Sequence, residues 1–344
     1  SHSGIIWIDA GWTGEEEGSY VKPTRTLFKA SQVLAERLEG GPFIDDYMIV
    51  LKDGIYPEEG NCGVLFPRPE DEGSLIITSL NGPYEESSER GAAIDGEDTV
   101  QSAFSFGNYE RSNTVLRGLT IRRCLGAAIV CNCTEDGKPS SPTVASCVIE
   151  GSGIHCVRSS PIVCDNVILV GLLAYAQGIL CCGGSPVVIG NLIDGFGTTG
   201  TIGIKCEDSN GEPPSPIIRS CTIRANTDGG IFLLTSLSAD LRVERCTIEN
   251  NSSSTHAGGG IHCKISDTGD VTLSFLDNVI RNNFSPVGEG GGVCVDATKS
   301  TGACVLTMRG NSIDGNSCVG ARGFGGGVHL WGITGRFSAS LVAN

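Results

Sequence analysis

The chain has 344 residues, a formal net charge of −15 at pH 7 and sixteen cysteines, and 49 of its residues are glycine. A hydrophobic content of 40% excludes a disordered chain. No apolar run approaches the roughly 20 residues of a membrane helix, and the acidic balance argues against a nucleic-acid binder, which would carry a basic surface.

The first 73 residues predict a cap for the repeats that follow. The segment GIIWIDA predicts a strand, and YMIVLKDGIY predicts another. Between them an amphipathic helix is predicted over about residues 26–38. Its apolar face holds Leu27, Ser31, Leu34 and Leu38. Such an element covers the open end of a stack of strands, where unpaired backbone groups would otherwise promote aggregation.

A short phrase repeats along the rest of the chain. It ends in Cys131, Cys156, Cys181 and Cys206, which are 25 residues apart. It continues with looser spacing as GGIF, GGGIHC, GGGVCV and GGGVHL. A fixed period of this length is the sequence signature of a solenoid, in which each repeat adds one coil.

A second phrase alternates with the first, in versions such as PTVASCVIEG, PIIRSCTIRAN and LSFLDNVIRNN. Each version carries one Asn or Cys at the same place, namely Cys147, Asn166, Asn191, Cys221, Cys246, Asn278 and Asn311. A buried Asn at a turn can bond the backbone of its own coil and the next Asn, which satisfies groups that would otherwise lack partners. We therefore predict that these residues stack in a column.

Each repeat contains two or three short β-branched segments separated by turn residues, with no room for a helix between them. This disfavours leucine-rich repeats and βαβ sheets, and the hexapeptides of a left-handed β-helix are absent. The predicted fold is all-β, a single-stranded right-handed parallel β-helix of roughly ten coils stacked about 4.8 Å apart. We predict one domain over residues 1–344, with coils over 74–344. Because no cap follows the last repeat, we also expect a chain excised from a longer protein.

The opening IIWIDAGWTGEEEGSYVKPTRTLFKA resembles the start of many pectin-lyase-like β-helix proteins, with a strand, a Gly-rich acidic loop, a proline and a capping helix. Phrases such as GGGIHC and SPIIRSCTIRAN are similar to the Gly/Cys-rich repeats of bacterial secreted and surface β-helices. The resemblance implies the right-handed parallel β-helix fold. It does not imply one function, because this fold hosts lyases, hydrolases, esterases, binding modules and adhesins.

The regularly spaced cysteines should stack in one column of the core. We interpret them as buried free thiols that act as small apolar side chains. The alternative is a set of disulfides, because stacked Cα atoms lie within bridging distance and secreted proteins are often disulfide-rich. A metal site is disfavoured, since Cys131 and Cys133 have no paired CxxC partner elsewhere in the chain.

The same phrase predicts a ligand-binding face. If Ile154 and Cys156 point inward, His155 points outward, because side chains alternate along a strand. Equivalent outward residues are Val130, Leu180, Lys205, Phe232, His262, Cys294 and His329. Aromatic rings beside polar side chains suit sugars. The predicted substrate-binding residues are His155, Arg158, Tyr175, Phe196, Lys205, Phe232, His262, Lys264, His329 and Trp331. The alternative is a solvated sheet surface.

Catalytic residues are less clearly indicated. A polysaccharide lyase needs a base and a cation to neutralise a uronate carboxylate, and the candidates are His155, Arg158 and Lys205. A glycoside hydrolase needs two positioned carboxylates. The candidates are Asp194, Glu207, Asp208 and Asp228, and nothing in the sequence pairs them. The loop CEDSNGEPPSP offers Asp208, Asn210 and Glu212 as calcium ligands, although a polar surface loop is the simpler interpretation.

The sequence therefore favours an extracellular carbohydrate-binding β-helix module that recognises a plant or microbial polysaccharide within a larger polysaccharide-degrading protein. The first alternative is a polysaccharide lyase or hydrolase that acts on a uronate-containing polymer, and the second is a surface adhesin or structural rod. We expect a secreted or cell-surface, monomeric module with a polysaccharide partner, no nucleic-acid partner and no membrane span. The candidate cofactor is calcium.

Overall fold

The computed structural model describes residues 4–38, 45–67, 73–171, 176–254, 257–286, 289–319, 325–332 and 336–342. Within these residues it contains one helix, α1 (Leu27–Leu38), and 32 strands. The strands in chain order are β1 (Ile5–Ile8), β2 (Asp46–Leu51), β3 (Gly54–Tyr56), β4 (Ser74–Ser79), β5 (Ala92–Asp95), β6 (Phe104–Phe106), β7 (Thr114–Arg117), β8 (Thr120–Arg122), β9 (Ala127–Asn132), β10 (Thr143–Ala145), β11 (Val148–Val157), β12 (Ile162–Cys164), β13 (Val167–Val170), β14 (Gln177–Cys182), β15 (Val187–Ile189), β16 (Leu192–Asp194), β17 (Ile202–Glu207), β18 (Ile217–Arg219), β19 (Thr222–Arg224), β20 (Ile231–Thr235), β21 (Ala239–Glu244), β22 (Thr247–Glu249), β23 (Ile261–Asp267), β24 (Val271–Leu276), β25 (Val279–Arg281), β26 (Phe284–Ser285), β27 (Val293–Ser300), β28 (Ala303–Arg309), β29 (Ser312–Asp314), β30 (Ser317–Cys318), β31 (Val328–Trp331) and β32 (Arg336–Val342). This confirms the predicted class, an all-β parallel β-helix.

The residues group into two compact units, one of residues 1–152 and 160–167 and the other of residues 153–159 and 168–344. A single domain over the whole chain stays a prediction. No helix among the described residues is long and apolar enough to cross a membrane.

In the first unit, parallel strands from successive coils pair with each other. One sheet has the order β1-β2-β4-β7-β10-β12. A second has the order β3-β5-β8-β11, and β6 pairs with β9. The predicted strand YMIVLKDGIY forms two strands, β2 and β3, because the chain turns between them.

The predicted capping helix is present as α1. Its first turn is capped by Thr26, whose Oγ1 accepts the Lys29 N–H at 3.2 Å, and the Leu27 N–H donates to Asn61 Oδ1 at 3.0 Å. Its buried residues are Leu27, Ala30, Val33 and Leu34. The predicted face was therefore partly wrong, because the Ser31 hydroxyl instead donates to the Leu65 carbonyl.

In the second unit, three long parallel sheets are built from successive coils, and β26 pairs with β30 in a short fourth sheet. The back sheet has the order β15-β18-β21-β24-β28-β32 and the corner sheet has the order β16-β19-β22-β25-β29. The front sheet contains residues 154–157 of β11, followed by β14-β17-β20-β23-β27-β31. Neighbouring strands pair in register, so that equivalent residues of successive coils lie beside each other.

The predicted cysteine column is confirmed in the front sheet. Cys156 pairs with Cys181, and Cys181 pairs with Cys206. All three are buried, and none of them forms a disulfide. Cys131 lies in the first unit, where it pairs with Phe106. Burial also raises the pKa of Cys263, in the same column, well above its ordinary value, so this side chain is a neutral thiol. The oxidation state of the column stays a prediction.

The predicted Asn/Cys column is a hydrogen-bonded ladder. The Cys246 N–H donates to Asn278 Oδ1 at 2.9 Å, and the Asn278 N–H donates to Asn311 Oδ1 at 3.1 Å. The Asn278 side-chain amide also donates to the Val243 carbonyl at 2.9 Å. In the first unit the Cys147 N–H donates to Asn166 Oδ1 at 2.9 Å. These bonds satisfy buried backbone groups at each two-residue turn.

A second asparagine ladder, which the sequence analysis missed, lies after the corner strands. It consists of Asn226, Asn251, Asn283 and Asn316. The N–H of each of the first three donates to the side-chain oxygen of the next, at 3.1, 3.0 and 2.9 Å. Its signal was present in the second phrase, whose versions end in AN, NN, NN and GN.

A column of glycines leads into the front sheet. Glycine occupies these positions because neighbouring coils pack too closely there for a side chain. A Cβ on Gly203 would lie 2.6 Å from the Gly230 carbonyl, one on Gly230 would lie 2.6 Å from the Gly260 carbonyl, and one on Gly260 would lie 2.5 Å from the Gly292 carbonyl. None of these glycines has a positive φ. Close packing therefore explains glycine in this column, whereas Gly258 and Gly290 have a positive φ.

Candidate functional site

The outward face of the front sheet carries the column predicted from the sequence. The register aligns His155, Leu180, Lys205, Phe232, His262, Cys294 and His329. A second outward row, two residues further along each strand, contains Val157, Cys182, Glu207, Leu234, Lys264, Asp296 and Trp331. Strand alternation therefore predicted which side chains share a face.

Outward direction does not make every member of the column accessible. Phe232 is 5% exposed and His262 is 6% exposed, and their rings lie 5.1 Å apart. The chain before β23 lies close to the column, since a Cβ on Gly258 would lie 2.8 Å from Cβ of His262. Gly290 covers Cys294 in the same way, at 2.9 Å. His262 therefore points outward as predicted but is nearly buried, and its role as a ligand contact stays a prediction.

The outward face of the front sheet also carries a pocket. Its volume is about 360 Å³. It is lined by Gln177, Gly200, Ile202, Lys205, Asp228, Phe232, Leu234 and Lys264. Front-sheet strands supply Gln177, Ile202, Lys205, Phe232, Leu234 and Lys264, and the loops before β17 and β20 supply Gly200 and Asp228. We call this group of eight residues the front pocket.

Threonines tie these two loops together. The Gly200 N–H donates to Thr227 Oγ1 at 2.8 Å, and the Thr227 N–H donates to Thr201 Oγ1 at 3.1 Å. The Asp228 N–H donates to the Thr201 carbonyl at 2.8 Å. These bonds join the two loops that carry Gly200 and Asp228, so the pocket has a preformed wall.

Asp228 is the buried acid of the front pocket, with 7% of its surface exposed. The Ser254 hydroxyl donates to Asp228 Oδ1 at 3.2 Å, which joins a third loop to the wall. A carboxylate accepts hydrogen bonds only. Asp228 therefore presents a fixed acceptor to whatever enters the pocket.

The two lysines of the front pocket differ in their partners. Lys205 Nζ lies 2.7 Å from Glu207 Oε2, and about a quarter of each side chain is exposed. The Cys182 thiol donates to Glu207 Oε1 at 3.3 Å, and burial raises the pKa of Cys182 to about 12, so it remains a thiol at neutral pH. Lys264 is exposed and makes no ion pair with the described residues.

The other predicted lyase residues have separate surroundings. Arg158 binds Glu212 through Nε at 2.9 Å and Nη2 at 2.8 Å. Burial lowers the pKa of His155, which is therefore a neutral imidazole at neutral pH. His155 lies two coils from Lys205 in the column. Among the three predicted lyase residues, Lys205 is the one that lines the front pocket.

The predicted aromatic contacts are spread along the chain. Phe196 is 65% exposed, has a φ of +47° and donates its N–H to Asp194 Oδ1 at 2.9 Å. Trp331 is 41% exposed, with its ring 6.3 Å from that of His329. Tyr175 lies outside the described residues. Their roles as sugar contacts stay predictions.

The predicted calcium ligands bind protein groups. Asp208 accepts hydrogen bonds from Thr235 Oγ1 at 2.7 Å and Ser236 Oγ at 2.8 Å, and Glu212 pairs with Arg158. Asn210 occupies a turn with a φ of +47°. The described residues contain no group of three or more His, Cys, Asp or Glu side chains able to hold a metal ion. Among the hydrolase candidates, Asp194 pairs with Arg224 at 2.7 Å.

Comparison with known proteins agrees with this architecture. Residues 174–274 match the family described as a right handed beta helix region. The fold is similar to the Azotobacter vinelandii mannuronan C-5 epimerase AlgE4 A-module, with 12% identity, a TM-score of 0.52, and coverage of 97% of this chain and 99% of that chain. A crystal structure of pectate lyase Pel9A matches at 14% identity and a TM-score of 0.40, over 99% of this chain and 79% of that chain. No match was found among curated proteins.

These findings define the class of the protein by its fold. The chain folds as a right-handed parallel β-helix, as its repeats predicted. Identity this low establishes the fold alone.

Proposed function

We propose that this β-helix binds a polysaccharide and that one sugar residue of the polymer enters the front pocket. The observation that carries the proposal is the composition of the pocket, in which Phe232, Leu234 and Ile202 form apolar surface beside Gln177, Asp228 and Lys264. A sugar ring has apolar C–H faces and a rim of hydroxyls, so it needs both kinds of contact.

The preformed wall supports a binding role. Because the threonine bonds hold Gly200 and Asp228 in place, a ligand need not order these loops itself, which favours affinity. The mannuronan epimerase whose fold is similar acts on a polysaccharide by its name. This supports polysaccharides as the ligand class.

The proposed location and parent protein are those predicted from the sequence. We propose a secreted or cell-surface module that is part of a larger polysaccharide-degrading protein. The partner would be a plant or microbial polysaccharide outside the cell. Fractionation of the source cells with an antibody to this chain is the direct test of the location, and a purely intracellular signal would contradict it.

Affinity electrophoresis against xylan, pectin, alginate and cellulose tests the binding function. We expect retardation by at least one polysaccharide, and we expect Lys264→Ala or Gln177→Ala to weaken it. Lys299→Ala is the matched control for Lys264→Ala, because Lys299 is an exposed lysine at the end of a front-sheet strand and does not line the pocket. The absence of retardation on every polysaccharide would contradict the proposal and favour an adhesin or structural rod.

The arrangement favours binding over lyase chemistry by the predicted trio. Both cations of that trio, Arg158 and Lys205, are already paired with acids, and a lyase would need a cation available to a uronate carboxylate. Ultraviolet absorbance of unsaturated products, released from a uronate polymer, would establish a lyase instead. If that activity survived in a His155→Ala, Lys205→Ala variant, these residues would not be its catalytic residues.

A further inference from the structure

We propose that the front pocket selects an uncharged sugar residue and discriminates against uronates and sulfated sugars. This inference rests on the proposed function and adds to it the class of sugar. It starts from the charges at the pocket. The charged groups are two lysines and two acids: Lys205 pairs with Glu207, and Lys264, which makes no ion pair with the described residues, lines the pocket together with Asp228.

Lys205 is not available to an anionic ligand without a loss. Its ammonium lies 2.7 Å from Glu207, and the two side chains are only 25% and 29% exposed. A ligand carboxylate would have to displace Glu207 from Lys205 and leave Glu207 partly buried without its partner. Leaving a partly buried charge unpaired opposes binding, so the exchange brings little net gain.

Asp228 opposes an anion directly. It is 7% exposed, lines the pocket and is held by its own N–H and by the Ser254 hydroxyl. A carboxylate or sulfate group on the ligand offers only acceptors, so it would face Asp228 with like charge and no proton to share. A hydroxyl offers a donor to Asp228, and such a charge-assisted hydrogen bond is stronger than a neutral one.

The remaining polar groups suit hydroxyls equally well. The Gln177 amide supplies both donors and an acceptor, and the Lys264 ammonium supplies donors. A sugar hydroxyl is both a donor and an acceptor, so a ring with two or three hydroxyls can satisfy Gln177, Asp228 and Lys264 together. The apolar surface of Leu234, which is 37% exposed, is left for the C–H face of the ring.

Isothermal titration calorimetry with two sets of tetrasaccharides tests the inference. The neutral set is xylotetraose, cellotetraose and mannotetraose, and the acidic set is tetragalacturonate and tetramannuronate. We expect the best neutral ligand to bind at least about tenfold more tightly than either acidic ligand. We also expect its affinity to change little between about 0.1 M and 1 M salt, because no ligand charge is screened.

Two variants should shift the preference toward acids. Glu207→Gln frees Lys205 from its ion pair, and Asp228→Asn removes the repelling charge, so each should lower the neutral-to-acidic affinity ratio by about tenfold. Glu212→Gln is the matched control, because Glu212 carries the same charge but pairs with Arg158 outside the pocket. This control should leave the ratio unchanged. Thermal melting establishes that each variant is folded, and the wild-type ratio and its salt dependence provide the test if a variant is not.

The outcomes separate this inference from the function on which it rests. Tighter binding of an acidic ligand by the wild-type protein, with affinity that falls as salt rises, would overturn the inference and keep polysaccharide binding. An unchanged ratio in folded Glu207→Gln and Asp228→Asn would also overturn it. Absence of binding to every tetrasaccharide, together with no retardation by any polysaccharide, would overturn both.

Discussion

Two regions of the second unit show how a repeating fold makes a non-repeating site. The first region, which we call the ladder corner, consists of the turns between back and corner strands that hold the Asn/Cys ladder. These turns are two residues long in successive coils: 190–191, 220–221, 245–246, 277–278 and 310–311. The loops from corner to front strands vary and span 195–201, 225–230, 250–260 and 282–292. The front pocket lies beside the two shorter loops, and Gly258 and Gly290, near the ends of the longer loops, lie close to His262 and Cys294. Regular turns therefore hold the coils in register, and irregular loops decide which outward residues are open.

The largest expected effect tests the glycine column that leads into the front sheet. Gly260→Ala would place a Cβ 2.5 Å from the Gly292 carbonyl and 3.0 Å from Asn283 Nδ2. Because these atoms belong to the neighbouring coil and its ladder, they cannot move away cheaply. We expect the free energy of unfolding to fall by about 3 kcal/mol or more, as measured by denaturant unfolding.

Gly327→Ala is the matched control for that change, because Gly327 occupies the same column but a Cβ there would only touch Ile313 at 3.5 Å. We expect this substitution to lower the free energy of unfolding by less than about 1 kcal/mol. Equal effects of the two substitutions would show that close packing is not the reason for glycine in this column.

The second expected effect tests the ladder corner. Asn278→Ala removes the acceptor of the Cys246 N–H and the donors to Val243 and Asn311. Buried backbone groups would then lack partners, so we expect a loss of about 2–4 kcal/mol in the free energy of unfolding. Cys246→Ala, at the equivalent position of the preceding coil, should cost about half as much, because a thiol is a weak hydrogen-bonding group. If the order were reversed, packing volume would matter more at the corner than hydrogen bonding.

The third expected effect tests the covering loops. Gly290→Ala would bring a Cβ within 2.5 Å of the Val293 carbonyl and 2.9 Å of Cys294 Cβ, at a φ of +54°. We expect the loop to open more often, so that iodoacetamide labels Cys294 about tenfold faster, which corresponds to about 1.4 kcal/mol of local opening free energy. Mass spectrometry of the labelled peptides measures this rate.

Gly211→Ala provides the comparison for this labelling experiment. Its φ is +79° and a Cβ there would meet no atom within 4 Å, so it adds backbone strain far from Cys294 in sequence. A similar increase in Cys294 labelling by this control would indicate general destabilisation, and the proposed covering role of Gly290 would be wrong.

The smallest expected effect concerns pH and the outward column. Burial lowers the pKa of His155 in the folded state. The unfolded chain, with an ordinary histidine pKa of about 6.5, therefore binds a proton more readily than the folded chain as pH falls below that value. Stability attributable to His155 is thus full above this pH and declines below it. Melting temperatures across this range should fall less steeply in His155→Gln than in the wild type, and equal slopes would contradict the assignment.

The sequence predicted the parts of the site that depend on register. Strand alternation and the repeat placed His155, Lys205 and Phe232 in one outward column, and the register confirms this. The sequence did not predict that Asp228 and Lys205 line one pocket, because Asp228 belongs to a loop and its position depends on threonine hydrogen bonds to the neighbouring loop. Nor did it predict the Lys205–Glu207 pair, although the two residues are separated by one position on a single strand.

By itself the sequence determined the stacking of coils, since a period of 25 residues with Asn, Cys and Gly at recurring positions allows equivalent residues to pair and close-pack only in register. It also determined the capping helix, through its apolar periodicity and the threonine before it. Only the tertiary structure decided which outward side chains are open. Exposure on a β-helix is set by how each loop folds over the sheet, and that depends on contacts between neighbouring coils that no single repeat contains.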